Sequence, residues 1–103
     1  MFIRVTESSK PGFHLRKGEE GRSVFDTDAV NPPLVAEEIL DAFRADSQLV
    51  YRSREEIEAK NLRIVPIPGS ASLPWRLCNA HAEIRRGPAM TRGQFKKALQ
   101  ELE

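Results

Sequence analysis

The sequence has little cysteine and histidine, and these shortages exclude several classes of protein. Its one cysteine, Cys78, cannot form an intrachain disulfide. Two histidines and that cysteine lack the close spacing of zinc ligands, so we expect no metal. No apolar run approaches the roughly 20 residues of a membrane-spanning helix, so we expect no membrane partner. The sequence also lacks a P-loop, a dinucleotide-binding glycine fingerprint and a His-Glu-x-x-His motif.

The first ten residues lack the apolar core of a secretory signal. This predicts a protein that is cytoplasmic at synthesis. Export by a signal-independent route would leave no trace in the composition, so that route stays open.

Charge of neither sign dominates the whole chain, but the two parts differ. The net charge is +1, yet residues 1–60 hold nine Lys or Arg against twelve Asp or Glu, and residues 61–103 hold seven against three. The densest basic positions are Arg85, Arg86, Arg92, Lys96 and Lys97. One interpretation is a solvated turn and helix face. The other is a surface that binds an anion such as a nucleotide pyrophosphate, RNA or an acidic partner.

The hydrophobic pattern predicts one α+β domain that covers residues 1–103. Alternating or β-branched segments predict strands at 2–6, 13–16, 23–26, 48–52 and 62–67, and one or two more within 75–85, with Cys78 in the core. Helical periodicity at 34–43 and capping boxes at Ser53/Glu56 and Thr91/Gln94 predict about three helices. We therefore expect a compact domain with a mixed or antiparallel sheet of short strands.

His81 and Glu83 are the first candidate site residues. In a strand, alternate side chains share a face, so these two point together while Ala82 and Ile84 point into the core. The polar pair is either a solvated ladder or an acid–base pair beside a bound substrate.

Arg4, Tyr51 and Arg52 are the second group of candidates. Alternation places Phe2, Arg4 and Thr6 on one face of the first strand. A buried arginine there needs an anion, which is either a protein carboxylate or a ligand phosphate. Tyr51 and Arg52 end another strand, where both face a cleft or, alternatively, Tyr51 is a core residue with its hydroxyl at the rim.

Three stretches resemble a group of small type VI secretion toxins with an ADP-ribosyltransferase-like fold. GRSVFD at 21–26 is similar to a Gly-x-Ser-Val-Phe-Asp segment of that group, and IPGSASLPWRL at 67–77 is similar to a Gly-containing loop before a Leu/Ile-Pro-x-x-Leu element. AHAEIRRGPAM at 80–90 resembles a Thr-His-Tyr-x-Ile-x-Pro-x-x-x-Met segment, in which His81, Ile84 and Met90 match.

The resemblance implies an NAD-dependent toxin domain that modifies a target, together with an acidic antitoxin or immunity protein as partner. Under it, Arg4 binds the pyrophosphate with Tyr51 and Arg52 nearby, and His81 contacts the ribose or nicotinamide. Glu83, an acid specific to this sequence, would stabilise the positive charge that develops on the ribose. The alternative is a non-catalytic binding module whose basic C-terminal part, including Arg85, Arg86 and Lys96, holds RNA or an acidic protein.

Overall fold

Five antiparallel strands form a sheet in the computed structural model, which describes residues 1–7, 13, 15, 17–69 and 72–103. The strands are β1 (Phe2–Glu7), β2 (Gly21–Asp26), β3 (Ser47–Arg52), β4 (Leu62–Pro66) and β5 (His81–Arg86). Their order in the sheet is β3-β1-β2-β5-β4. Strands β3 and β4 are therefore the two edges.

Four α-helices connect and cover these strands: α1 (Ala36–Leu40), α2 (Arg54–Glu58), α3 (Trp75–Ala80) and α4 (Arg92–Glu101). Both predicted capping boxes are confirmed. At α2 the Glu56 N–H donates to Ser53 Oγ and the Ser53 N–H donates to the Glu56 carboxylate. Thr91 and Gln94 exchange the same bonds before α4. The predicted α+β class with a single compact domain is confirmed.

The sheet has a hydrophobic core on each face. The α2/α4 face is buried by Ile57, Phe95, Ala98, Leu99 and Leu102 from the helices, which pack with Phe2, Phe13, Leu15, Val24, Leu62, Ala82 and Ile84. The α1/α3 face is buried by Leu34, Ile39, Leu77 and Ala80 over Ile3 and Phe25. Neighbouring residues on each strand thus enter opposite cores, as the pleat requires.

Two predicted strands are wrong. Phe13 lies in a turn and Leu15 lies outside any strand, although both are buried. His14, Arg16 and the predicted turn at 8–12 lie outside the described residues. Residues 75–80 form helix α3 rather than a strand, because Leu77 and Ala80 are one helical turn apart and both pack into the α1/α3 core.

This helix also changes the setting of Cys78. The thiol lies on α3, half-buried, and its Sγ is 3.1 Å from the carbonyl oxygen of Leu73. Cys78 therefore lies in a short helix, is only half-buried and contacts the preceding loop. The prediction that it lies in a strand and in the core is wrong.

An ion pair joins the two helices of the α1/α3 face. Arg76 donates from Nε to Glu38 Oε2 at 3.0 Å and from Nη2 to Glu38 Oε1 at 3.1 Å. The same guanidinium also donates to the Pro32 carbonyl. The Arg76 hydrogen bonds are the main cause that holds the pKa of Glu38 below its ordinary value, and the Val35 N–H adds to the effect.

A close backbone contact joins the turn after α2 to the loop after β5. A Cβ at Gly87, which is buried, would overlap the carbonyl oxygen of Asn61. Asn61 has φ of 60° and Ala89, two residues beyond Gly87, has φ of 63°. Both residues therefore have left-handed backbone conformations, which are unfavourable for residues other than glycine, and these conformations shape this corner of the fold.

Gly87→Ala is expected to destabilise the protein by about 1–3 kcal/mol, because the new methyl group must displace backbone and not a flexible side chain. Gly93→Ala is the matched control. Gly93 lies in the first turn of α4 with open space at its Cβ, so alanine should stabilise by about 0.5 kcal/mol. Urea unfolding of both variants measures the difference, and equal midpoints would contradict the close contact.

Glu38→Gln is expected to lower the melting temperature at neutral pH and to matter less in acid. The folded pKa of Glu38 lies below its ordinary value of 4.5, so its ion pair stabilises the fold above that pH and is lost as pH falls through the folded pKa. Melting temperatures across a pH series measure this. A difference between wild type and variant that stayed constant with pH would contradict the assignment.

Candidate functional site

His81 is bound into the fold at the start of β5. Its Nδ1 lies 2.9 Å from the carbonyl oxygen of Ile67, and because a carbonyl can only accept, Nδ1 carries the proton. The Ile67 N–H returns a bond to the His81 carbonyl at 3.0 Å. The ring also packs edge-on against Phe25 at 5.8 Å. These contacts give the half-buried histidine a structural role.

Glu83 lies on the same face of β5 as His81, as alternation predicts. Its carboxylate accepts from Arg85, with Nε at 3.0 Å and Nη2 at 2.9 Å from Oε1. The opposed residues are Ser23 on β2 and Val65 on β4. Ala82 and Ile84 point the other way and are buried, so the predicted division of this strand into a core face and a polar face is confirmed.

Arg4 lies on the opposite face of the sheet from His81 and Glu83. It pairs with Val50, whose side chain packs in the α2/α4 core, whereas the β5 pair belongs to the α1/α3 face. Its Nη1 donates to the Ser23 carbonyl at 3.0 Å, beyond the short stretch where β1 and β2 pair. Arg4 and the two β5 residues therefore do not line one cleft.

Tyr51 and Arg52 also point to opposite faces. Tyr51 is 45% exposed and stands in one row across the sheet with Ile3, Phe25 and His81. Three strand spacings, about 14 Å, separate Tyr51 from His81, and the residues between them are buried. Arg52 lies on the α2/α4 face, where Nε donates to the Leu102 carbonyl at the end of α4 at 2.6 Å.

The basic C-terminal residues divide into paired and exposed groups. Arg85 pairs with Glu83, while Arg86 and Arg92 both approach Glu20, at 3.5 and 3.9 Å. Lys96 and Lys97 are exposed on α4. Among the described residues, neither lysine has an ion-pair partner.

A solvent-open groove of about 880 Å³ lies between α4, the turn after α2 and the loop after β5. We call it the α2–α4 groove. Its lining comprises Glu58, Ala59, Lys60, Asn61, Leu62, Arg63, Gly87, Pro88, Ala89, Met90, Gln94, Lys97, Ala98 and Glu101. Leu62 and Ala98 are buried and Met90 is half-buried, so the groove has an apolar floor.

The charges along the groove leave two cations without a carboxylate among the described residues. Lys60 pairs with Glu101 at 3.1 Å, and Glu58 lies 3.8 Å from Arg54. Arg63 follows buried Leu62 on edge strand β4, so alternation places it on the α1/α3 face, and it lines the groove at the β4 edge, where its Nε donates to the Arg86 carbonyl. Lys97 is exposed on α4. Asn61 and Gln94 also line the groove, so it can offer both amide donors and positive charge to a ligand.

Sequence reasoning found Lys97 but missed Arg63 and the backbone of the groove. Arg63 lies in the predicted strand at 62–67, whose neighbouring residues suggest a buried strand, so its sequence context gives no sign that it lines a groove. The signals that were available are Asn61 directly after a short helix and the Gly-Pro pair at 87–88, since asparagine and glycine are the residues that accept tight or left-handed backbone.

The described residues include neither a metal-binding cluster nor a membrane-spanning helix. They contain no group of three or more His, Cys, Asp or Glu side chains placed to hold a metal ion. No helix among them is long and apolar enough to cross a bilayer.

Comparisons with known proteins gave no match: no protein-family model, no curated protein and no solved structure is similar to this chain. The resemblance to the secretion toxins therefore stays a prediction.

His81→Ala is expected to destabilise the protein by roughly 1–3 kcal/mol, because it removes a bond to the Ile67 carbonyl and the contact with Phe25. Exposed Asn79→Ala, two residues earlier, is the control and should change stability little. Thermal unfolding with and without NAD measures both. If NAD raises the melting temperature of the wild type and not of His81→Ala, the histidine binds ligand and the structural role is wrong.

Proposed function

We propose that the chain is a non-catalytic binding module that holds an acidic, extended segment of a partner protein in the α2–α4 groove. The observation that carries the proposal is the pairing of an apolar floor with Arg63 and Lys97, two cations that no described carboxylate neutralises. A side chain such as leucine would lie on the floor formed by Leu62 and Met90, and carboxylates would meet the cations.

The composition of the groove favours a peptide over RNA. Glu58 and Glu101 lie on its walls beside Arg54 and Lys60, so the groove lacks the continuous positive charge that a run of phosphates requires, whereas a peptide with spaced carboxylates needs only the two separate cations. No aromatic side chain is present in the described lining, although stacking on aromatic rings is the usual way to hold unpaired bases. Among proteins, an acidic immunity protein of the kind that the resemblance implies has suitable chemistry.

An NAD-dependent transferase has less support. It requires a cationic side chain for the pyrophosphate near the groups that act on the ribose, but Arg4 and the pair on β5 occupy opposite faces. His81 and Glu83 are each bonded within the fold, to Ile67 and Arg85. The geometry therefore favours the binding module.

Arg63→Glu and Lys97→Glu are each expected to weaken binding of an acidic peptide roughly tenfold, because a carboxylate replaces the cation that faces the ligand. The probe is a fluorescein-labelled peptide in which glutamate alternates with leucine, and fluorescence anisotropy measures its affinity. Lys96→Glu is the matched control: it makes the same charge change at the neighbouring exposed residue, which does not line the groove.

Amide chemical shifts locate the bound peptide and distinguish the alternatives. Shift changes at 58–63 and 87–90 support the groove. Equal weakening by Lys96→Glu, or an equally tight peptide with lysine in place of glutamate, would contradict it. Tighter binding of single-stranded RNA than of the peptide would favour the nucleic-acid module, and shifts at His81 on addition of NAD would favour the transferase.

A further inference from the structure

The outer edge of β3 is an exposed strand with regular geometry. All six residues of β3 pair with β1, from Ser47 opposite Glu7 to Arg52 opposite Phe2, and β3 is terminal in the sheet. Within the described residues, no backbone hydrogen bond reaches the other side of positions 48–51. An edge of this kind is a template for pairing with another strand.

Among the described residues, the central positions of β3 carry none of the features that usually protect an edge, and its one charged residue, Arg52, stands at the end of the strand. Between Ser47 and Arg52 its sequence is Gln-Leu-Val-Tyr, without charge, proline or glycine. Leu49 and Val50 are only partly buried and Tyr51 is 45% exposed. The opposite edge, β4, is protected, because Arg63 lies on it and Pro66 removes a donor at its end.

The ends of β3 are complementary to each other. Asp46, one residue before the strand, and Arg52, its last residue, carry opposite charges. Asp46 also lies 3.6 Å from Arg44 in an exposed ion pair, which leaves its second carboxylate oxygen for another cation. In an antiparallel pair of two β3 strands with Leu49 on the two-fold axis, opposed residues stay on one face, and Asp46 of each copy lies opposite Arg52 of the other. Arg52 donates from Nε and Nη1 to backbone carbonyls and stacks over Phe13, and among the described residues Nη2 has no hydrogen-bond partner and is left for the contact.

We propose that a second copy of the chain pairs with β3 in this register and extends the sheet across the two molecules. The partner is another copy because both the hydrogen-bonding edge and the flanking charges are self-complementary. A single strand pair is a small interface, and interfaces below about 1,200 Å² are typical of weak association. We therefore expect a dimer that dissociates on dilution.

Sedimentation velocity from micromolar to millimolar concentration tests the dimer. The wild type should shift from monomer to dimer across the series. Asp46→Arg places two arginines opposite each other and is expected to raise the dissociation constant roughly tenfold. The control Glu37→Arg makes the same charge change at an exposed residue of α1 and should leave the constant unchanged.

Disulfide cross-linking tests the register. With Leu49 on the axis, Ser47 of one copy lies opposite Tyr51 of the other, at a Cα distance of about 4.5–5.5 Å, which is within the range of a disulfide. In a Cys78→Ser background, Ser47→Cys with Tyr51→Cys should give a covalent dimer on oxidation. Tyr51→Cys alone should not, because the two cysteines would then be about 14 Å apart, four residues along the strand and one strand spacing across.

Two outcomes would overturn the inference. One is a monomer at every concentration without cross-linking by the double variant. The other is a dimer that neither responds to Asp46→Arg nor cross-links, since its interface would lie elsewhere. The peptide-binding assay is separate from both, because Arg63 and Lys97 line a groove at the β4 side of the sheet.

Discussion

The register between the central strands β2 and β5 is the constraint on which the rest of the structure depends. Val24 faces Ala82 and Phe25 faces His81, so one strand pair contributes to both cores. A slip of one residue would send each side chain to the opposite face, exchanging buried Ile84 with charged neighbours. With this register fixed, one face of the sheet presents an apolar surface to α4 and the opposite face presents one to α3.

The part of this arrangement that sequence predicts is the part set by local chemistry. Alternation in β5 correctly separates Ala82 and Ile84 from His81 and Glu83, because a strand has a period of two residues whatever its neighbours are. The capping boxes at Ser53 and Thr91 locate two helix starts, since their hydrogen bonds join residues three apart. The α+β class follows from these two patterns.

The remaining features depend on contacts between distant segments. Helix α3 spans only six residues and has no side-chain cap, so its sequence carries little local helix signal. The packing of Leu77 and Ala80 against the sheet is what stabilises the helix. The α2–α4 groove needs the turn at Asn61 to touch the loop at Gly87. The separation of Arg4 from His81 follows from strand order and pairing, which no single strand encodes.

The contact between Gly87 and Asn61 has a consequence for how the groove can diverge. The corner that frames it is set by main-chain atoms and by two left-handed residues, Asn61 and Ala89, whereas its chemistry comes from the side chains of Arg63, Gln94 and Lys97. The shape and the chemistry of the groove thus reside in different residues. Under the proposed function, mutation of the side chains can change what the groove binds while the main-chain frame is inherited unchanged.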